Sequence, residues 1–112
     1  MIALVRHGSY DTATGSLDDL GRRQAKLISD GLRGRAWQQV VTSPSPRCVE
    51  TAQTIADELG ITVAIDENWG EDSTKTARDQ TINDLTVYVS HLPILKEMAP
   101  DWEPRIGAVR II

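Results

Sequence analysis

The chain holds two histidines, and each stands where an apolar run ends. His7 follows "IALVR" at 2–6, with Arg6 beside it, and His91 follows "LTVYVS" at 85–90. A guanidinium and an imidazole at the end of a buried segment are costly to desolvate unless they serve something negative. A lone histidine in such a place is ordinarily just a half-buried, hydrogen-bonded residue. Two in the same kind of position, with an arginine attached to the first, suggest an anion site instead. Arg47 adds an independent argument, since it follows "TSPSP" and falls in the first turn of an expected helix. A cation there is disfavoured by about 0.3–1 kcal/mol at an exposed position. Pairing with Glu50 three residues on would offset that cost. A bound phosphate would reverse its sign, because helix N-terminus and guanidinium then favour the same ligand. Gly8 suits a sharp turn after the strand and a close approach to a ligand. Cys48 lies on an apolar stripe and reads as core, not as a nucleophile.

These groups need elements that bring them together. Residues 2–5 read as a strand covered on both faces. Residues 18–33 read as a helix with Leu20, Gln24, Leu27, Ile28 and Leu32 at helical spacing, Asp18 and Asp19 at its start and Gly34 at its close. Val40 and Val41 mark a second strand, which leads through Thr42 and Ser43 to Arg47. The following helix carries Cys48, Ala52, Ile55, Ala56 and Leu59 on one stripe, with Pro46 near its first position and Gly60 at its end. Strands are expected at 61–65 and 85–90, the latter delivering Ser90 and His91. A polar segment, 66–84, lies between them as loop with one helical turn. "HLPILKEMA" reads as a short helix or turn, and "RIGAVRII" as a closing strand. Strands alternating with helices imply a mainly parallel sheet of about five strands in three α/β/α layers, with the closing strand antiparallel. Ligands in such sheets bind beyond the carboxyl ends of the strands, where both histidines and Arg47 would meet.

Composition narrows the classes. The length of 112 residues suits one domain, 1–112, and 40% hydrophobic residues suffice for a core. With no Phe and 4% aromatics, Ile, Val, Leu and Ala must fill it. A net charge of −4 argues against a duplex nucleic-acid partner. The single cysteine excludes an internal disulfide framework and fits a reducing cytoplasm. No apolar run of about 18 residues is present and the start lacks a signal-peptide pattern, so the expectation is a cytoplasmic protein without a membrane partner.

Four stretches, in order, carry a family resemblance: "LVRHG" at 4–8, "LDDLGRRQA" at 17–25, "VTSPSPRCVETAQTIA" at 41–56 and "VSHLP" at 89–93. The sequence resembles the histidine phosphatase superfamily, with its phosphoglycerate-mutase-like fold, and especially its small bacterial phosphohistidine phosphatase branch. The resemblance implies that His7 attacks phosphorus and carries the phosphoryl group, while Arg6, Arg47 and His91 bind its oxygens. It implies no metal and no other cofactor, since arginine supplies the positive charge. Phosphoryl transfer needs in-line positioning and cationic donors above all.

Three departures from larger relatives bear on function. Those relatives carry a glutamate, three residues, a glycine, two residues and then the acid for the leaving group. Here Asp66 and Gly70 hold that spacing but the acid's slot falls on Ser73, leaving Glu71 or Asp72 as substitutes; Glu71, next to the flexible Gly70, is the preferred one. The polar stretch 71–84 is too short for the cap that covers sugar phosphates in bigger relatives. Only about a dozen residues separate "VSHLP" from the closing strand. The expectation is a minimal, uncapped, metal-independent phosphatase acting on a phosphorylated protein side chain, phosphohistidine included. The alternatives are a general phosphomonoesterase for small phosphorylated substrates and a phosphate-recognition module that does not turn over.

Overall fold

The computed structural model describes residues 1–72 and 80–112. Strand β1 spans Ile2–Arg6, helix α1 Asp19–Leu32, β2 Gln39–Thr42, α2 Pro46–Leu59 and β3 Thr62–Ile65. After a 3₁₀ turn at Glu67–Trp69 come β4, Thr86–Ser90, α3, Leu92–Met98, and β5, Val109–Ile111. The strands form one sheet in the order β3-β2-β4-β1-β5. All pairings are parallel except that of β5 with β1, which is antiparallel as expected.

Register matters most for function. Arg6 lies opposite Ser90, and Thr42 lies opposite both Val89 and Ile65. The parallel strands β1, β2 and β4 therefore end together, and the residues that follow them leave from one edge.

Alternation along the strands builds the layers. Ala3, Val5, Val40, Val87 and Val89 face α1 and α2, meeting Ile28, Leu32, Cys48, Ala52, Ile55 and Ala56. Ile2, Leu4, Val41 and Tyr88 face the other way, toward Ile94 and Leu95 of α3 and toward Trp69. Trp69 is fully buried and stacks on Tyr88 with ring centroids 4.4 Å apart. The polar segment around it gave no sign of a core residue. The Trp37 Nε1 donates to the Leu32 carbonyl at 2.8 Å, which satisfies the one polar atom of that side chain.

Helix α1 departs from the expected stripe. Leu20 and Leu27 are 48% and 70% exposed, while the inner face is Gly21, Ala25, Ile28, Ser29 and Leu32. Close packing selects these small residues over the two leucines. A Cβ on Gly21 would sit 1.9 Å from the Ser9 carbonyl oxygen, so only glycine permits this approach. Asp18 locks the crossing from both sides: Oδ1 accepts from the Gly21 amide at 2.8 Å and Oδ2 from the Ser9 hydroxyl at 2.7 Å. These two hydrogen bonds hold the Asp18 carboxyl below the usual carboxylate range. Helix propensity alone would favour Gly21→Ala by about 1 kcal/mol. The clash outweighs it, and this variant should lose at least about 3 kcal/mol of stability in urea unfolding. An unchanged midpoint would mean that the crossing relaxes freely.

Helix α2 follows its expected pattern. Pro46 occupies the first turn, Cys48, Ala52, Ile55 and Ala56 are buried, and Gly60 ends the helix in the left-handed region at φ 69°.

Candidate active site

The shared strand edge brings His7, Arg47 and His91 into direct contact. His7 is buried, and its Nδ1 lies 2.9 Å from the Gly8 carbonyl oxygen. A carbonyl can only accept, so Nδ1 carries the proton and Nε2 keeps its lone pair. The Arg47 Nε donates to that Nε2 at 3.3 Å. The Arg47 Nη2 lies 3.4 Å from the His91 Nδ1 and therefore donates to it. This leaves the proton of His91 on Nε2, which donates to the Ser43 hydroxyl at 2.8 Å. The two imidazole rings are 5.4 Å apart at 62°. Arg47 is thus the hub of the site, and the expected pair with Glu50 is not what holds it. The Glu50 carboxylate turns away and accepts from the Leu17 amide at 3.4 Å.

Backbone bonds fix the hub to the strand. The Gly8 amide donates to the Thr51 hydroxyl at 3.1 Å, and that hydroxyl donates to the Arg47 carbonyl at 2.7 Å. A Cβ on Gly8 would come within 2.8 Å of the Gly21 carbonyl oxygen, so the protein's own backbone already requires glycine there.

Arg6 reaches the site from β1. Its Nη1 donates to the Pro104 carbonyl at 3.0 Å, and its Nε is buried with no hydrogen-bond partner among the described residues. A buried cationic donor left unpaired fits a pocket that takes an anion. Glu71 comes from beyond the 3₁₀ turn, and its Oε2 accepts from the Arg47 Nη2 at 3.0 Å. Asp72 lines a cleft of about 450 Å³ together with Pro44, Ser45, Glu67, Asn68, Gly70 and Glu71. Through Ser45 and Glu71 that cleft adjoins the histidines and Arg47, which do not line it themselves. The histidine–arginine cluster is the candidate centre, and the cleft is room beside it. Ser73 lies outside the described residues.

One neighbour escaped the sequence reading. The Arg47 guanidinium carbon sits 4.7 Å from the centroid of the Tyr10 ring, and His7 meets the same ring edge-on at 5.4 Å. The only signal in the sequence was its position, three residues after His7.

Electrostatics keep both imidazoles neutral. Burial lowers the His7 pKa, and the charges of Arg47 and Arg6 lower it further, against the Gly8 carbonyl, which raises it. Burial, then Arg47, lowers His91 from the ordinary 6.5 to about 4. Burial pushes the Cys48 thiol up to about 12, which agrees with its reading as core. A histidine with a depressed folded pKa binds its proton more weakly folded than unfolded. The contribution of His91 to stability is therefore fully present above pH 6.5 and lost progressively as pH falls toward 4. Urea unfolding across that range should show the decline, with a shallower slope in His91→Gln; equal slopes would mean that His91 is not held neutral.

Among the described residues, no three His, Cys, Asp or Glu side chains cluster to hold a metal ion. No helix among them is long and apolar enough to cross a membrane.

The family model described as histidine phosphatase superfamily (branch 1) matches residues 2–102. GpmB of Yersinia pestis (strain Pestoides F), which carries a phosphoglycerate mutase name, is 28% identical over 94 residues, covering 76% of this chain and 44% of GpmB. The chain thus spans less than half the length of that relative. A phosphoserine phosphatase from Entamoeba histolytica, solved with 3-phosphoglyceric acid, superposes with a TM-score of 0.72 at 18% identity, over 96% of this chain and 87% of its own. SixA of Agrobacterium tumefaciens, which carries a phosphohistidine phosphatase name, gives 0.67 at 18% identity, over 86% and 70%. At these identities the two structures speak for the fold.

Proposed function

Because the chain belongs to the histidine phosphatase superfamily, we propose that residues 1–112 form one minimal, uncapped domain that hydrolyses phosphate through a phosphohistidine intermediate on His7. The observation that carries this reading is the Nε2 lone pair of His7, held 3.3 Å from the Arg47 Nε with His91 on the other side of the guanidinium. When a phosphoryl group enters, Arg47 exchanges its contacts with His7 and Glu71 for phosphoryl oxygens, and Arg6 adds to the same cradle; His91 joins as a donor once its proton shifts to Nδ1, the Ser43 hydroxyl then donating to Nε2. The His7 Nε2 pair forms the new P–N bond as the bond to the leaving group breaks. Water then attacks phosphorus, its proton passing to the Glu71 carboxylate, the P–N bond breaks, and His7 returns to neutral imidazole. Positive charge comes from the two arginines, so the mechanism needs no metal.

Glu71 is the preferred general acid. Displaced from Arg47 by the phosphate, its carboxyl stays beside the leaving group and faces the cleft. A phosphohistidine substrate makes smaller demands, since its protonated ring leaves as neutral imidazole. This favours phosphohistidine in a protein as substrate, and the cleft beside the cluster has the size of a side-chain or small-ligand site. Small phosphomonoesters are the second reading, supported by the same cleft. Glu71→Gln should slow an alkyl phosphate about 10²-fold or more, and an aryl phosphate or a phosphohistidine peptide far less. Asp72→Asn should leave all three rates near wild type. Equal losses on every substrate would make Glu71 structural, and a selective loss in Asp72→Asn would move the role to Asp72. The overall reading is tested by incubating purified protein with p-nitrophenyl phosphate and a phosphohistidine peptide. Turnover is expected, and inertness toward both would leave phosphate recognition alone.

A further inference from the structure

We propose that Tyr10 is the positioning residue of this site, its ring clamping the Arg47 guanidinium and walling His7 off from water. The inference rests on the phosphatase reading above. Three independent contacts support it. The guanidinium carbon stands 4.7 Å from the ring centroid, within cation–π range. The His7 ring meets the same side chain edge-on at 5.4 Å and 77°. Tyr10 is itself anchored, because it forms an isolated antiparallel bridge with Leu17 that closes the loop before α1. Within that loop the Asp11 amide donates to the Ser16 carbonyl at 2.9 Å and the Gly15 amide to the Asp11 carbonyl at 2.7 Å. The ring is therefore presented by a closed loop and not by a free strand end.

Arg47 needs such a clamp. Among the described residues its other holds are Glu71, His7 and His91, and the mechanism requires at least the first two to be given up when phosphate binds. The aromatic face is the one contact that makes no demand on the guanidinium N–H donors. It can keep the plane of the guanidinium fixed while those donors turn to the phosphoryl oxygens. The groups around His7 are Arg6 from β1, Arg47 from α2, His91 after β4 and Glu71 after the 3₁₀ turn, together with Tyr10. Of these, Tyr10 alone excludes water without bringing charge or a titrating nitrogen. Burial is the largest influence that depresses the His7 pKa.

The experiment compares Tyr10→Phe and Tyr10→Ala with wild type. Readouts are kcat and KM for p-nitrophenyl phosphate, inorganic phosphate binding by calorimetry, and the His7 titration followed by NMR. Tyr10→Phe keeps the aromatic face and should stay within about twofold of wild type on every measure. Tyr10→Ala should lose about tenfold in kcat, with a smaller change in KM, and its His7 should titrate closer to the ordinary 6.5. A Tyr10→Ala protein with unmoved His7 titration and unmoved kcat overturns the proposal. So does a Tyr10→Phe protein as impaired as Tyr10→Ala, which would assign the role to the hydroxyl. Should wild type turn over no phosphate at all, the phosphatase reading fails. The clamp would still be decided by the His7 titration and phosphate affinity, both of which must shift in Tyr10→Ala and hold in Tyr10→Phe.

Discussion

His7→Ala should abolish turnover, with kcat reduced on the order of 10⁴-fold or more, while the far-UV circular dichroism of the protein stays the same. The size follows from the role. A group that forms the covalent bond to phosphorus has no substitute in this site, since His91 turns its proton-bearing Nε2 to Ser43 and its Nδ1 to Arg47. Cys48, the other nucleophile at hand, is buried and its thiol is pushed up to about 12. The fold should survive because the strand is held by neighbours of His7: Ala3, Leu4 and Val5 are completely buried, and the Gly8 amide bond to Thr51 does not involve the imidazole. Activity within tenfold of wild type would show that His7 is not the nucleophile.

Arg47→Ala should cost about 10²–10³-fold in kcat, the range for removing one preorganised charge donor. Arg47→Lys should recover little, because a single ammonium cannot reproduce the fork that meets His7, Glu71 and His91 at once. The pH profile adds a signature. The Arg47 charge helps to depress both imidazole pKa values, so its loss moves the acid limb of the rate profile to higher pH. The sign is fixed: less positive charge nearby makes the imidazolium easier to form, and a protonated His7 cannot attack. A profile that keeps its acid limb in place would separate Arg47 from His7 despite their contact.

The elements were legible because local signals agreed with the fold. Pro46 and Gly60 bracket α2 as capping chemistry requires, and the apolar run at Ile2–Val5 is buried on both faces. Arg6, His7, Arg47 and His91 could be placed at one edge from the sequence, since parallel strands must end together. What the sequence concealed depends on distances between segments. Periodicity put Leu20 and Leu27 on the inner face of α1, yet the closeness of Ser9 to Gly21 turned the helix to its small residues. Trp69 sits in a polar stretch, and packing against Tyr88 of β4 and the cluster around it makes it core. Arg47 has a carboxylate three residues away in Glu50 but pairs with Glu71, 24 positions on. Tyr10 belongs to the same class: its value comes from facing a guanidinium 37 positions along the chain, which no local pattern encodes.

The covalent step is open to direct observation. Purified protein would be mixed with a phosphate donor, quenched in base within the first turnovers, digested and mapped by mass spectrometry. The account predicts a single acid-labile, base-stable phosphoryl group on the peptide that contains His7, approaching one per chain and absent from His7→Ala. Turnover with no phosphoryl group on His7, or with the label on another residue, would contradict it.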